Sequence, residues 1–378
     1  EGVEAQPARQ RRKHRRASRF RMGEEHLAAL LWTDKARYTS VEQVAVYLES
    51  DTRSTAKLLG RLEAQGFMGK KSYGGFPTAY FLTSAAKDLL DASTKAVDEA
   101  SGPGAIRHTI EVGWVMLTAL RGEGPVRSVA KEALGREVEL SDFLSESEVV
   151  RAANKRLGEQ LTDLERLARK AASKAFTAKW EGWEAIASEA RFAKPEDEAD
   201  DSKLWLWGAY GARTHPHFPD LVLRLPRDPA TGQARSIAFE VERSVKPASV
   251  DSILKAYEGQ LAAAGGEDEQ RARYLTALWL AGDDRVEQAV RARLGDDPRG
   301  HKVLSLRQTT DWKRTLLAGL ETEAEERRAA NAAARAQGAV HITTARRITP
   351  CRCGVECRAR YGRFPTEQAA RELLEELA

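Results

Sequence analysis

Residues 51–83 read DTRSTAKLLGRLEAQGFMGKKSYGGFPTAYFLT, and this stretch decides the first part of the fold. Asp51 and Thr52 form a helix-start signal, and Gly66 stops the run that they begin. Thr55, Leu58, Leu59 and Leu62 recur at helical spacing along one face, while Arg53, Ser54, Lys57 and Arg61 share the other. Phe67 to Tyr73 and Ala79 to Thr83 flank the turn Gly74-Gly75 and read as a two-stranded hairpin. Upstream, Leu27, Leu30 and Leu31 mark a helix from Glu24, and Thr39-Ser40 precede a second helix carrying Val41, Val44, Ala45 and Leu48. Three short helices and a hairpin in this order spell a winged helix-turn-helix over residues 23–100. The outward cations of its third helix, with Lys70, Lys71 and Tyr73 on the wing, suit the phosphates and base edges of double-stranded DNA. The other use of such a unit is protein contact, with those cations solvated.

A chain of 378 residues is long for one core and implies two domains with extensions. Its 42% hydrophobic and 31% charged residues exclude wholesale disorder. No apolar run approaches the roughly 20 residues that span a bilayer, so no membrane partner is expected. The basic start has no apolar run behind it and does not read as a secretory signal. Three cysteines crowded into one segment favour a reducing compartment, and a cytoplasmic location is the expectation.

Charge is unevenly spread. Residues 1–22 hold Arg9, Arg11, Arg12, Lys13, Arg15, Arg16, Arg19 and Arg21 against Glu1 and Glu4, a net +6 that leaves −2 for the rest of a +4 chain. Such a tail lies along phosphates in a sequence-blind, salt-dependent way, or else solubilises the chain or binds acidic protein.

Ser101-Gly102-Pro103-Gly104 mark a boundary, after which Ile106 to Leu120 read as a helix. Residues 121–143 carry no clear pattern, and about 144–190 form a charged, Ala-rich helical insertion with Trp180 and Trp183. Strands follow at Asp220–Leu225 and Ser236–Glu242, joined around Asp228–Gly232, then a helix from about Ser249 to Ala264. Tyr274–Leu280 is a buried strand, Arg285–Leu294 a helix, Lys302–Leu306 a strand and Asp311–Ala336 a helix. The expected class is α+β or α/β multidomain, with a mixed-sheet domain over 105–320 and a C-terminal extension over 321–378.

In the strand ending at Glu242, alternation puts Ile237, Phe239 and Val241 on one face and Ala238, Glu240 and Glu242 on the other. A hairpin brings Asp220 opposite the 240–242 region, so that three carboxylates converge. Adjacent carboxylates repel unless a hard cation such as Mg2+ or Mn2+ offsets them, and that metal would activate water against a phosphodiester. The plainer reading is a solvated sheet face with Arg243 as partner.

Pro219-Asp220 followed by Glu240-Val241-Glu242 resembles the PD-(D/E)xK nuclease signature, with Glu242 where that family usually has Lys. Lys255 on the next helix would supply the cation. Together with Ile106-Arg107-His108-Thr109-Ile110, Phe143-Leu144-Ser145-Glu146-Ser147-Glu148, His217-Phe218-Pro219-Asp220 and Lys255-Ala256-Tyr257, the chain resembles the replication-relaxation family of plasmids and mobile elements. The resemblance implies a DNA-binding protein of mobile-element replication or transfer, with a metal-dependent nuclease-like domain built on a PD-(D/E)xK-like core. Replication or transfer proteins and a homodimer are the implied partners. Glu146 or Glu189 would be the first acidic residue, with Glu146 preferred. Alternatives are a degenerate core that only holds DNA, a non-catalytic regulator at operator or origin DNA, and an adaptor for replication proteins.

His108 lies among Ile110, Val112 and Trp114 and reads more readily as a structural histidine than a catalytic one. Trp205 and Trp207 alternate with Leu204 and Leu206 and read as packing residues. Cys351, Cys353 and Cys357, with His341 upstream, would give Zn2+ up to four ligands, against the reading of reduced thiols.

Overall fold

The computed structural model describes residues 22–90, 101–160, 204–210, 213–227, 235–244, 247–257, 260–262, 272–295 and 300–336. Arg11, Arg12, Lys13, Arg15 and Arg16 lie outside the described residues, as do Glu189, His341, Cys351, Cys353 and Cys357.

Three helices open the fold: α1 (Glu24–Ala36), α2 (Val41–Leu48) and α3 (Thr52–Ala64). Each start is fixed locally. Ser40 Oγ accepts from Gln43 N at 3.3 Å while Gln43 Oε1 accepts from Ser40 N at 3.1 Å, a reciprocal box that satisfies two orphan donors. Asp51 Oδ1 accepts from Ser54 N at 3.0 Å and caps α3. Strands β1 (Met68–Lys71) and β2 (Ala79–Leu82) pair antiparallel, with Met68 opposite Leu82, and Thr39 bridges to Tyr80 beside them. The helices and hairpin thus occupy the positions that the apolar spacing marks out.

After α4 (Ser84–Leu89), α5 (Pro103–Arg121) starts with Pro at its first turn, where the missing N–H is no loss. Then come α6 (Pro125–Leu134), a 3-10 turn at Leu140–Asp142, β3 (Phe143–Ser145) and α7 (Glu146–Gln160). A hairpin of β4 (Leu206–Tyr210) and β5 (Arg213–His217) precedes β6 (Leu221–Arg224) and β7 (Ser236–Glu242). The rest alternates: α8 (Pro247–Tyr257), β8 (Tyr274–Ala281), α9 (Asp284–Leu294), β9 (His301–Ser305), α10 (Leu306–Thr310) and α11 (Trp312–Ala336).

The main sheet has the order β3-β6-β7-β8-β9, with β3, β6 and β7 antiparallel in turn and β7, β8 and β9 parallel. The fold is therefore mixed α/β: a helical part and a five-stranded mixed sheet. Helices α8 and α9 make the crossovers that parallel neighbours require. Strand alternation sorts the core into layers. Leu221, Leu223, Ile237, Phe239, Val241, Leu278 and Leu280 share one buried cluster with α1, α2, α3 and α5. Val222, Ala238 and Ala277 turn the other way, onto Tyr257, Trp205 and Tyr274. The helical part and the sheet therefore bury one continuous core.

Buried ion pairing reinforces this junction. Lys35 Nζ donates to Phe143 O at 2.8 Å and lies 2.6 Å from Glu148 Oε1, and Ser145 N also donates to Glu148 Oε2 at 2.8 Å. Gln43 Nε2 donates to Ile110 O at 2.8 Å and ties α2 to α5.

Two expectations change here. The helix expected to run from Ser249 to Ala264 starts at Pro247 and ends at Tyr257, because Leu261 is drawn into a parallel bridge with Tyr274. The featureless stretch 121–143 contains α6 and leads into the edge strand β3, too short for a periodic signal. Among the described residues no helix is long and apolar enough to cross a membrane.

Candidate functional site

Sheet register assembles a row of carboxylates. Ser145 pairs with Leu221, and Leu221 with Phe239, so the next positions, Glu146, Asp220 and Glu240, fall side by side across three neighbouring chain segments. Glu146 N donates to Asp220 O at 3.3 Å and extends the β3–β6 ladder to this level.

The row is met by histidines from both sides. From α5, His108 Nε2 lies 2.8 Å from Asp220 Oδ1, while Val241 N donates to Asp220 Oδ2 at 2.7 Å. At the end of β5, His217 Nε2 lies 2.9 Å from Glu240 Oε1, and the buried Tyr257 hydroxyl of α8 donates to the same oxygen at 2.6 Å. Glu240 is only 4% exposed, so these bonds are what make its carboxylate tolerable there.

The electrostatics follow the pairing. Burial works against charge on His108, but the hydrogen bond and charge of Asp220, helped by Glu146 and Glu111, hold its pKa up at about 9. Burial likewise disfavours the charged form of His217, and the Glu240 carboxylate outweighs it and raises the pKa. Glu240 itself is pushed up, by burial first and by Asp220, against the pull of His217 and Tyr257. Glu146 is raised by its poorly hydrated surroundings and then by the Asp220 charge, although its side chain reaches solvent. Two histidine–carboxylate pairs and a third, accessible carboxylate thus stand together. Such a group can exchange protons, orient water or bind a charged ligand.

Arg37 adds a cation that sequence reasoning passed over. Its charge opposes the rise at Glu146. Its backbone sits at φ 66, ψ −53, and Tyr38 N donates to Ala36 O at 2.7 Å across it. That is the rare, strained hand of γ-turn, held by a non-glycine residue beside the carboxylate row.

Three expectations on this face are corrected. Glu242 does not join the row: it ends β7, and Ser244 N donates to its Oε1 at 3.4 Å. Glu146, the first acidic residue that the resemblance implies, lies level with Asp220. Lys255 is exposed on α8. It is two residues from Tyr257, about 200° around the helix, so α8 directs Tyr257 inward and Lys255 away. Arg243 partners Glu111 of α5 at 2.7 Å rather than the sheet carboxylates. His108 does more than satisfy a core. Its partner is 112 residues distant, a link that no local spacing could reveal. The same holds for His217 and Tyr257, quoted only as parts of motifs.

Among the described residues, no group of three or more His, Cys, Asp or Glu side chains is arranged to hold a metal ion. Both Asp220 oxygens and Glu240 Oε1 are already engaged by protein donors. The row as it stands is not a ready-made Mg2+ or Mn2+ site.

The second surface is α3. Thr55, Leu58, Leu59 and Leu62 are buried, whereas Arg53, Ser54, Lys57 and Arg61 are exposed on the opposite face. No ion pair engages Arg53, Lys57 or Arg61 among the described residues. In the hairpin, Lys70 pairs with Glu63 at 2.9 Å, Lys71 lies 5.8 Å from the Phe81 ring centre, and the Tyr73 hydroxyl donates to Ser101 O at 3.3 Å. These three are partly committed within the fold. Helix α11 flanks the start of α3, where Glu321 Oε1 accepts from Thr52 N at 2.8 Å and Arg328 lies 2.5 Å from Asp51 Oδ1.

Compared with known proteins, the chain matches no family model, no curated protein and no solved structure.

Proposed function

We propose that this chain binds double-stranded DNA, using α1–α3 and the β1–β2 hairpin as a winged helix-turn-helix. The observation that carries the reading is the exposed, cationic face of α3: Arg53, Lys57 and Arg61 beside Ser54, opposite a wholly buried apolar face. Arginine and lysine in this setting reach guanine edges or phosphates in a major groove. The basic segment with Arg11, Arg12, Lys13, Arg15 and Arg16 would add sequence-blind affinity. Replication or transfer of mobile DNA is the setting that the family resemblance implies, with replication or transfer proteins and a second copy of the chain as further partners. The test is equilibrium binding of a labelled duplex. Changing Lys57 and Arg61 to Ala should weaken it by about 1–3 kcal/mol if either reads a base. Unchanged affinity would remove α3 from the interface.

Two readings of the carboxylate row accompany this one. The adjacency of Glu146, Asp220 and Glu240 is what a nuclease-like core of the PD-(D/E)xK kind would use, provided Mg2+ or Mn2+ displaced the histidine partners of Asp220 and Glu240. The histidine partners of Asp220 and Glu240 favour a non-catalytic regulator, in which the row is engaged within the protein and serves the junction between helices and sheet. Cys351, Cys353 and Cys357, with His341, are proposed as a Zn2+ site on spacing alone.

A further inference from the structure

The β1–β2 turn presents an aromatic ring that the fold does not use. Phe76 is 41% exposed, and among the described residues only Leu275 is a comparably exposed large hydrophobic side chain. The turn beneath it is fixed rather than loose. Phe76 N donates to Tyr73 O at 3.0 Å across Gly74-Gly75, and Gly75 takes φ 79, which a side chain would resist. The neck is closed by Ser72 Oγ and Thr78 Oγ1 at 2.9 Å, and the Tyr73 hydroxyl ties it to Ser101 just before α5. One part of the ring is covered by Arg107 of α5, whose guanidinium carbon lies 5.6 Å from the ring centre. Arg107 is steered by Glu111, 3.2 Å from its Nε, and remains half exposed.

The next residue on α5 is His108, bonded to Asp220. Helix α5 thus carries, on consecutive residues, a guanidinium over the ring at the hairpin tip and an imidazole on the carboxylate row.

We propose that Phe76 and Arg107 form a stacking platform for an unpaired nucleobase of DNA. A pinned aromatic ring offers a π-face to any base, and the adjacent guanidinium neutralises the flanking phosphate. Bases in an intact duplex are stacked on one another and cannot enter, so the ligand is single-stranded or locally melted DNA. The inference rests on the DNA-binding reading above and adds a ligand that α3 does not take.

The test uses the full chain and three labelled DNAs: a blunt duplex, the same duplex with a central unpaired bubble, and a single strand. Phe76→Ala should lose about five- to hundredfold in affinity for the bubble and the single strand, a larger loss than on the blunt duplex, which the same hairpin contacts as a wing. Phe76→Tyr should keep wild-type affinity, and Arg107→Gln should weaken the same two ligands. A 2-aminopurine in the bubble should be quenched by wild-type protein and by Phe76→Tyr but not by Phe76→Ala. Equal loss on all three DNAs, or no loss on any, would overturn the platform while leaving α3 as a duplex reader. Wild-type protein that binds none of the three would overturn both.

Discussion

Asp220→Asn separates the electrostatic account of the site from a purely steric one. In the folded chain His108 is held at about 9 against an ordinary 6.5. A folded-state pKa above the unfolded value means that the pair's contribution is full below about pH 6.5 and is lost as pH rises through about 9. A difference of about 2.5 pH units corresponds to at most about 3.4 kcal/mol. The His108 side chain is 32% exposed and Asp220 18%, so solvent screening leaves about 1–2 kcal/mol. The hydrogen bond from Val241 N to Asp220 has no such pH dependence. Urea unfolding of both proteins in chelator, at about pH 6 and about pH 10, should therefore show the cost of Asp220→Asn shrinking by about 1–2 kcal/mol at the higher pH. Titrating groups remote from Asp220 cancel in the difference, whereas Glu146, His217 and Glu240 also feel its charge. An equal cost at both pH values would refute the imidazolium–carboxylate pairing and leave Asp220 as a backbone cap.

The remaining expectations are briefer. Lys35→Met strands the Glu148 carboxylate in the junction and should cost about 3–5 kcal/mol by denaturant melting, with Lys35→Met/Glu148→Gln recovering part of it. A cost under about 1 kcal/mol would show that the junction does not depend on this pair. Arg37→Gly should be more stable than Arg37→Ala by about 1 kcal/mol, because only glycine relaxes at a positive φ; equal stabilities would mean the turn carries no strain. If the row supports metal-assisted cleavage, Asp220→Asn should abolish Mg2+- or Mn2+-dependent cutting and leave DNA affinity intact. Wild-type protein that cuts no linear, supercoiled or single-stranded DNA with either metal would put the regulator reading first. Metal analysis should return about one equivalent of Zn2+ if Cys351, Cys353 and Cys357 hold it, and none with three titratable thiols if they do not.

Much of the architecture is local and so readable from the chain. Ser40 with Gln43, Asp51 with Ser54 and the Gly74-Gly75 turn signal their elements within a few residues. The alternation of Ile237, Phe239 and Val241 against Ala238 and Glu240 is also written in the strand, and the two sets do enter opposite layers. Asp220 and Glu240 meet as the hairpin register requires. Other features depend on contacts that spacing cannot carry. Strand β3 has three residues and exists because β6 lies beside it. Alternation placed Glu242 with Glu240, yet β7 stops at Glu242 and the row closes on Glu146 from another segment. Lys255 matches a motif lysine only by analogy, whereas helical geometry makes Tyr257 the inward residue. The histidine partners belong to chain segments brought together only by the packing of α5 and the end of β5 on the sheet.

The salt dependence of duplex binding tests the central claim most directly. With full-length protein, the logarithm of the association constant should fall linearly with the logarithm of salt concentration, by about 0.9 for each phosphate neutralised. Removing Lys57, if it contacts a phosphate, should reduce that slope by about 1, and deleting residues 1–22 should flatten it further. A flat plot for the wild type, or slopes unchanged in both variants, would contradict a duplex-binding role for α3 and the basic tail.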